Sequence, residues 1–353
     1  MKNRISKIVE NLDDLPYPDR DIFDFRNLHS ESEGRVTVMV SRGCPYACSY
    51  CCNSALHHLY KNELHSDKYV RFRSPQKAVN ELEHLKNKYE FLKNFAFDDD
   101  ILPLNKNWFR EFIKLYKEKV NVPYDCNIRP NLIDEEIVDL LQDSGCYQVR
   151  IGIETANEDM RKMLLKRNID NEQLKKSFNL LKKSKIEIYT YNMVGLPGET
   201  PKMMYDTLEL NYNLKHKKKS IAMRNQVTIF HPYKNTEIFD FCSKNGLIHN
   251  NCDNVTDYSQ ETCLKFDRIQ KNNILFFQKY FNVLSCSYSF FDMLPEKIAL
   301  EFKKALKFLI LSKFFGFIFM PFLNSSMDYL KSNQQASKLF RRLYRNLIAR
   351  KEK

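Results

Sequence analysis

The sequence predicts an α/β fold, a partial TIM barrel of about six βα units followed by an α-helical C-terminal extension. Between residue 35 and about residue 231, short β-branched or apolar runs alternate with longer segments of helical periodicity. This alternation is typical of parallel strands joined by right-handed crossover helices. The predicted strands are 35–41, 94–98, 123–128, 148–153, 186–194 and 226–231.

Capping residues predict where helices begin between these strands. Ser74 precedes Pro75, Asp134 precedes an apolar period that stops at Gly145, and Thr200 precedes another proline. A side-chain oxygen at the N-cap and a proline at the first helical position both favour a helix start. We therefore predict helices that begin after these three positions.

Length and charge suggest one large domain with an appendage. We predict an N-terminal connector at 1–30, the partial barrel at 31–240 and a helical, basic extension at 241–353. Residues 301–353 hold twelve Lys/Arg and three Asp/Glu, whereas residues 1–300 hold 44 and 41. Because the basic charge is concentrated in the tail, the core is not expected to bind nucleic acid. If the substrate were a nucleic acid, the tail would be the part that binds it.

The cysteine content predicts a cytoplasmic protein. The chain has ten cysteines, and its start lacks the apolar segment of a secretory signal. In a reducing compartment, thiols bind metal or lie buried more often than they form disulfides.

Three cysteines follow the first predicted strand at C-x3-C-x2-C spacing: Cys44, Cys48 and Cys51. Three thiolates leave a tetrahedral zinc ion one ligand short, whereas a cubane iron–sulfur cluster held by three thiolates keeps one iron open for a small molecule. A zinc site that uses His57 or His58 as its fourth ligand is the alternative.

The cysteine loop resembles the signature of the radical S-adenosylmethionine (radical SAM) superfamily. The resemblance implies a [4Fe–4S] cluster whose open iron is chelated by the amino and carboxylate groups of SAM. It implies reductive cleavage of SAM to methionine and a 5′-deoxyadenosyl radical, which abstracts hydrogen from a substrate. The implied partners are an electron donor such as flavodoxin or ferredoxin and a small-molecule or peptide substrate.

Residues beside the cysteines and after the second and third strands match the family's SAM contacts. Tyr50, just before the third cysteine, would lie near the adenine. After the second strand, Asp99 is the first candidate for binding the amino group of SAM, and Asp98 is the second. Without the resemblance, this acidic stretch would be interpreted as a turn that caps the next helix. Arg129, after the third strand, is a further cofactor-binding candidate.

Residues after the fourth and fifth predicted strands also match the family's SAM contacts. Glu154 occupies the place of a polar residue that touches SAM in relatives, and either Lys166 or Arg167 would lie near the SAM carboxylate. Gly195 and Gly198 belong to a Gly-Leu-Pro-Gly-Glu stretch that resembles the family's adenine-side loop. The resemblance covers about residues 12–247.

A stretch near the start suggests an alternative reaction. Residues 11–20 are similar to the connector that precedes the barrel in cobalamin-binding radical SAM proteins. Only a handful of residues precede this stretch, so we expect no cobalamin domain in this chain. Cobalamin-dependent methyl transfer would therefore need cobalamin from a partner chain.

The C-terminal extension leaves two questions open. Four cysteines without a C-x2-C pair would bind an auxiliary cluster or be buried thiols: Cys242, Cys252, Cys263 and Cys286. The apolar run 308–323 is interrupted by Lys313 and is short for a membrane span. We favour its burial against the open side of the barrel; the alternative is membrane-surface contact through 308–353.

Overall fold

A curved parallel sheet forms the centre of the computed structural model, which describes residues 6–30, 34–64, 68–215, 225–249, 261–292 and 294–312. The strands, in chain order, are β1 (Arg35–Val38), β2 (Ser41–Arg42), β3 (Arg71–Phe72), β4 (Asn94–Phe97), β5 (Tyr124–Asn127), β6 (Cys146–Glu154), β7 (Glu187–Val194) and β8 (Asn225–Ile229). Six of them form one sheet in the order β1-β4-β5-β6-β7-β8, and β2 pairs with β3 in a separate antiparallel ribbon.

Every neighbouring pair in the six-stranded sheet is parallel, and the sheet curves into a half-barrel with helices around it. This arrangement confirms the predicted partial barrel. The helices are α1 (Phe25–Ser30), α2 (Cys52–Leu64), α3 (Pro75–Lys88), α4 (Lys106–Lys119), α5 (Glu135–Asp143), α6 (Asn171–Lys182), α7 (Pro201–Lys215), α8 (Glu237–Lys244), α9 (Arg268–Phe291) and α10 (Glu296–Leu311).

The predicted helix starts are confirmed by their caps. The Ser74 hydroxyl accepts a hydrogen bond from the Lys77 amide at 3.2 Å, and Asp134 accepts one from the Ile137 amide at 2.9 Å. After α5 the chain turns at Gly145, whose φ of +86° suits glycine. These caps fix where each helix leaves the sheet, and therefore where the strand-end loops lie.

Two apolar layers hold the helices to the sheet. The larger layer lies between the sheet and α3 to α6, and in it Phe97 makes edge-on ring contacts with Phe112 at 5.8 Å and with Tyr124 at 5.2 Å. The second layer joins β7 and β8 to α7, α9 and α10. The predicted helical character of the C-terminal extension is confirmed in its described part. The predicted boundary at residue 240 falls inside α8, and the division into domains remains a prediction.

No helix in the described residues is long and apolar enough to cross a membrane. The apolar run 308–323 lies mostly outside those residues. Of its described part, Ile310 is buried, but Phe308 and Leu309 are exposed at the end of α10.

The loop after β7 is closed by a buried carboxyl group. One oxygen of Glu199 accepts hydrogen bonds from the Gly195 amide at 2.7 Å and from the Leu196 amide at 3.2 Å. Its other oxygen is buried without a hydrogen-bond partner among the described residues. Burial raises the pKa of Glu199 to about 8, because the charged form loses its hydration.

The raised pKa of Glu199 predicts a pH-dependent stability. Since the folded-state pKa lies above the usual value of a free glutamate, its contribution is complete below pH ~4.5 and is lost as the pH rises through 8. Between pH 5 and pH 9 we expect the wild-type free energy of unfolding to fall, relative to Glu199→Gln, by on the order of 4 kcal/mol. Urea denaturation across this pH range measures the difference.

Glu172→Gln is the control for this series, because the Glu172 side chain is 80% exposed on α6. The difference in the free energy of unfolding between Glu172→Gln and wild type should stay constant over the same pH range. Parallel pH profiles for wild type and Glu199→Gln would contradict the prediction.

Candidate functional site

A cavity of about 330 Å³ lies at the carboxyl ends of β4 to β7. The three predicted ligand cysteines line it: Cys44, Cys48 and Cys51. Five other predicted cofactor residues line the same cavity: Tyr50, Asp98, Arg129, Glu154 and Arg167. The structure therefore brings together most of the residues that the sequence suggested, at the barrel face where loops usually carry the chemistry. Their individual roles remain predictions.

The cysteine loop is held in place by one buried serine. The Ser49 amide donates to the Leu165 carbonyl at 3.0 Å, and the Ser49 hydroxyl donates to the Leu164 carbonyl at 2.6 Å. At the start of α8, the Ile238 amide donates to the Ser49 carbonyl at 3.1 Å. These bonds fix the loop to the segment that carries Arg167.

The environment of the thiols disfavours their ionisation in the absence of a positive partner. Burial raises the pKa of the Cys44 thiol, and it raises the pKa of Cys51 to about 11. Arg129 supplies one positive group, because its Nη1 lies 3.5 Å from the sulfur of Cys48. The guanidinium of Arg129 also stacks over the Tyr46 ring at 3.7 Å, which fixes its position.

The three adjacent aspartates point in alternate directions. Asp98 and Asp100 line the cavity, whereas Asp99 is fully buried on the opposite side. The Asp99 carboxylate accepts hydrogen bonds from the amides of Val40 at 3.0 Å and Ser41 at 2.6 Å. Burial raises the pKa of Asp99 to about 6. Its geometry is that of a structural anchor, so Asp99 is displaced as the first candidate for the SAM amino group.

The two aspartates that line the cavity differ in their partners. Asp98 forms an ion pair with Arg150 at 2.8 Å, which neutralises it. Asp100 accepts a hydrogen bond from the Asn53 side-chain amide at 2.7 Å, and burial raises its pKa. The charge of Arg42 opposes that rise, but among the described residues Asp100 forms no ion pair, so its charge is less compensated than that of Asp98. Asp100 is not among the residues that the sequence motifs singled out.

Glu154, Tyr50 and Arg167 form a connected group. The Tyr50 hydroxyl donates to Glu154 Oε1 at 3.1 Å. Burial raises the pKa of Glu154, and the nearby Arg167 opposes that rise. Arg167 Nη2 donates to the Gly152 carbonyl at 2.7 Å, while its Nε is buried without a partner among the described residues. An unused guanidinium donor at a cavity wall suits a carboxylate ligand.

The structure distinguishes between the two basic candidates. Lys166 adopts a φ of +50°, and its side chain forms an ion pair with Glu237 of α8 instead of lining the cavity. Arg167, the next residue, lines the cavity. Of the two candidates, only Arg167 is placed to contact a ligand there.

The predicted adenine-side glycines do not line this cavity. Gly195 has a φ of +82°, and a Cβ there would lie 3.1 Å from the Ile274 side chain of α9. Gly198, with a φ of +79°, has open space around its Cα. Leu196 between them belongs to a small apolar cluster on which Tyr50 packs. The loop therefore supports the site through Tyr50, and its contact with adenine remains a prediction.

Motif reasoning missed several residues that line the cavity. They are Asn53, Asp100, Asn127, Arg150, Gly152 and Tyr191. Along β6, Arg150 and Gly152 occupy alternate positions, as expected for one face of a strand, whereas Glu154 follows a register shift and has a φ of +68°. A Cβ at Gly152 would lie 2.2 Å from Glu154 Oε1, so a larger residue there would displace the Glu154 carboxylate. The period-two pattern of β6 was the available signal for Arg150 and Gly152.

The zinc alternative is not supported by the positions of the histidines. His57 stacks on Tyr69 with ring centroids 5.1 Å apart, His58 is exposed, and neither lines the cavity. Within the described residues, no three His, Cys, Asp or Glu side chains are arranged to hold a metal ion. A cubane binds each cysteine to a different iron, so its thiols need not converge on one point. Three thiols beside two arginines therefore fit an anionic cluster better than zinc.

One cysteine of the alternative auxiliary cluster, Cys252, lies outside the described residues. Cys242 is fully buried on α8 in the cluster that contains Ile238 and Leu264. Burial raises the pKa of Cys242 to about 11, as expected for a packed thiol.

Comparison with known proteins extends this interpretation. The Radical SAM superfamily model matches residues 38–210. An uncharacterized methyltransferase of Pyrococcus horikoshii is 26% identical over 242 residues, which are 68% of this chain and 49% of that protein. The anaerobic magnesium-protoporphyrin IX monomethyl ester cyclase of Rubrivivax gelatinosus is 27% identical over 207 residues, 57% of this chain and 35% of that protein. The chain thus spans about half the length, or less, of these curated relatives.

Two solved structures share the fold. The cobalamin-dependent S-adenosylmethionine radical enzyme OxsB, with aqua-cobalamin and S-adenosylmethionine bound, aligns with a TM-score of 0.60 at 14% identity and covers 98% of this chain and 54% of its own. The radical S-adenosylmethionine methyltransferase TsrM of Kitasatospora setae aligns with a TM-score of 0.52 at 17% identity. The alignment covers 71% of this chain and 48% of TsrM. With its three cysteines at one cavity of a half-barrel, the matched region, residues 38–210, is a radical SAM domain.

Proposed function

We propose that this protein is an enzyme that binds a [4Fe–4S] cluster through Cys44, Cys48 and Cys51, cleaves SAM reductively and abstracts hydrogen from a substrate. The observation that carries the proposal is the shared cavity, which is lined by three thiols, by a carboxylate and by an arginine whose Nε has no hydrogen-bond partner in the described part of the chain. When bound, the cluster supplies the electron that splits SAM into methionine and a 5′-deoxyadenosyl radical, and the protein supplies binding and orientation.

The two ends of the methionine moiety of SAM call for opposite charges. Asp100 is the proposed partner of the ammonium group, because within the described residues its side chain is hydrogen-bonded to the neutral amide of Asn53 and forms no ion pair. Arg167 is the proposed partner of the carboxylate, through its Nε, which has no hydrogen-bond partner among the same residues. Charge-assisted hydrogen bonds of this kind fix both the position and the orientation of a zwitterion.

The remaining cavity residues hold these partners in position. Tyr50 donates to Glu154, and Gly152 leaves the space that the Glu154 carboxylate occupies beside Arg167. Arg129 directs Nη1 toward the sulfur of Cys48. Hydrogen bonds to ligand sulfurs favour the anionic form of an iron–sulfur cluster and tune its reduction potential. The electron would come from an external donor such as flavodoxin or ferredoxin, and the substrate would be a small molecule or a peptide.

The first test removes one proposed cluster ligand. In Cys48→Ala we expect the loss of most of the about four irons bound per chain and of 5′-deoxyadenosine formation, because two thiolates cannot hold the cluster. Iron and sulfide are measured after anaerobic reconstitution, and the nucleoside is measured by chromatography after a strong reductant is added with SAM. Cys52→Ala is the matched control, since Cys52 is the exposed neighbour of a ligand and does not line the cavity. Full cleavage activity in Cys48→Ala would refute the proposal.

The second test compares two adjacent basic residues. Arg167→Met should weaken SAM binding by about tenfold to a hundredfold, because a charge-assisted hydrogen bond is lost. Lys166→Met should leave SAM binding close to wild type, since Lys166 pairs with Glu237 outside the cavity. The dissociation constant of SAM is measured by equilibrium dialysis with the reconstituted protein. A larger effect of Lys166→Met than of Arg167→Met would contradict the assignment.

A second candidate function is cobalamin-dependent methyl transfer. It is favoured by the methyltransferase named among the sequence relatives and by the two solved structures with bound cobalamin. If it holds, the methyl carbon of labelled SAM should reach a substrate only when cobalamin and a strong reductant are both added. Mass spectrometry of the products follows the label. Formation of 5′-deoxyadenosine with no labelled product, for every substrate supplied with cobalamin, would count against this candidate and leave the first one intact.

A further inference from the structure

Two lysines of the last described helix turn inward. On α10, Lys303 forms an ion pair with Asp292 and lies over the rings of Tyr212 at 4.9 Å and Tyr288 at 5.3 Å. One turn later, Lys307 pairs with Glu209 of α7 at 2.6 Å. These contacts fix the rotation of α10 about its own axis.

With that rotation fixed, a largely apolar face of α10 points away from the protein. We call this face the α10 stripe; its members are Ile298, Phe302, Ala305, Phe308 and Leu309. Their spacing is that of one helix face, which the exposed Glu301 interrupts, and all five are exposed. Phe308 is 79% exposed and Phe302 is 50% exposed, although Phe302 stacks on Phe291. The helix therefore carries apolar side chains on two sides, because Ile310 on its inner side is buried in the second apolar layer.

The sequence after α10 indicates what kind of surface would cover the stripe. Residues 314–323 contain eight large apolar side chains and no charge, and residues 313–353 contain nine Lys/Arg against two Asp/Glu. Because residues 314–323 include no polar position, covering the stripe would bury only part of this run. An anionic bilayer surface accepts both apolar segments and attracts the basic residues beside them.

We propose that the α10 stripe docks on the surface of an anionic lipid bilayer. The helix has 16 residues, or about 24 Å, which is shorter than the hydrocarbon core of a bilayer, so it would lie in the interface. Lys297 and Lys304 are exposed along one edge of the stripe and are placed to reach lipid headgroups, although Lys304 also pairs with Glu301 at 2.8 Å. This surface is formed by α10 alone and contains none of the residues assigned to the cofactor cavity.

Vesicle flotation of the full-length chain tests the proposal, and it needs neither cluster nor SAM. Wild type should float with vesicles of phosphatidylcholine and phosphatidylglycerol in a 3:1 ratio, and should float weakly with phosphatidylcholine alone. Phe308→Ser should lower the partition coefficient by about tenfold, because one large apolar side chain no longer enters the interface. Ile298→Ser, at the other end of the stripe, should also lower the partition coefficient. High salt should reduce binding by wild type.

Ile22→Ser is the matched control, since Ile22 is 69% exposed in the N-terminal segment and lies outside the stripe. Its flotation should equal that of wild type. Three outcomes would overturn the proposal: no flotation with anionic vesicles, equal flotation of Phe308→Ser and wild type, or a wild-type dimer that Phe308→Ser converts to a monomer in sedimentation velocity. The dimer would identify a second copy as the partner. Because no activity is read, this result is independent of the proposed reaction.

Discussion

Two buried hydrogen-bonded side chains determine where the cysteine loop lies, and the site depends on them. Asp99 binds the amides of Val40 and Ser41 just before the loop begins. Ser49, in the middle of the loop, binds the carbonyls of Leu164 and Leu165. Since an unsatisfied buried polar group costs about 1–3 kcal/mol, both anchors resist displacement. The thiols and the segment that carries Arg167 are thus held relative to each other before any cofactor binds, which is the preorganisation that catalysis requires.

The fold was predictable because its signals are local. Most strands of the half-barrel coincide with a short β-branched or apolar run, and caps such as Ser74 and Asp134 act within three residues of their own position. The ribbon β2–β3 was missed because strands of two residues, at Ser41–Arg42 and Arg71–Phe72, are too short to show a period. Their pairing depends on a contact between segments that are distant in sequence, and no pattern in either segment encodes it.

The site was predictable at the level of its loops but less so at the level of single side chains. Alternation from Ala96 would have placed Asp98 and Asp100 on one face and Asp99 on the other, yet motif matching does not use this rule. The choice between Lys166 and Arg167 depends on the left-handed φ of Lys166, which redirects the chain within one residue. The direction of the loop around Gly195 depends on α9, which comes much later in the chain. These are tertiary effects, and local sequence does not contain them.

The pairing of charges around the cavity also limits what the site can bind. Arg150 is neutralised by Asp98 and Asp125, so it adds structure and little net charge. Asp100 retains a carboxylate beside a neutral amide, and Arg167 retains an Nε without a hydrogen-bond partner among the described residues. Incompletely paired groups of opposite charge at the same cavity favour a ligand that carries both charges, since a ligand with only one would leave the other group poorly solvated. Under the proposed function, the zwitterionic methionine end of SAM would satisfy both groups, whereas a simple anion or cation would satisfy only one of them.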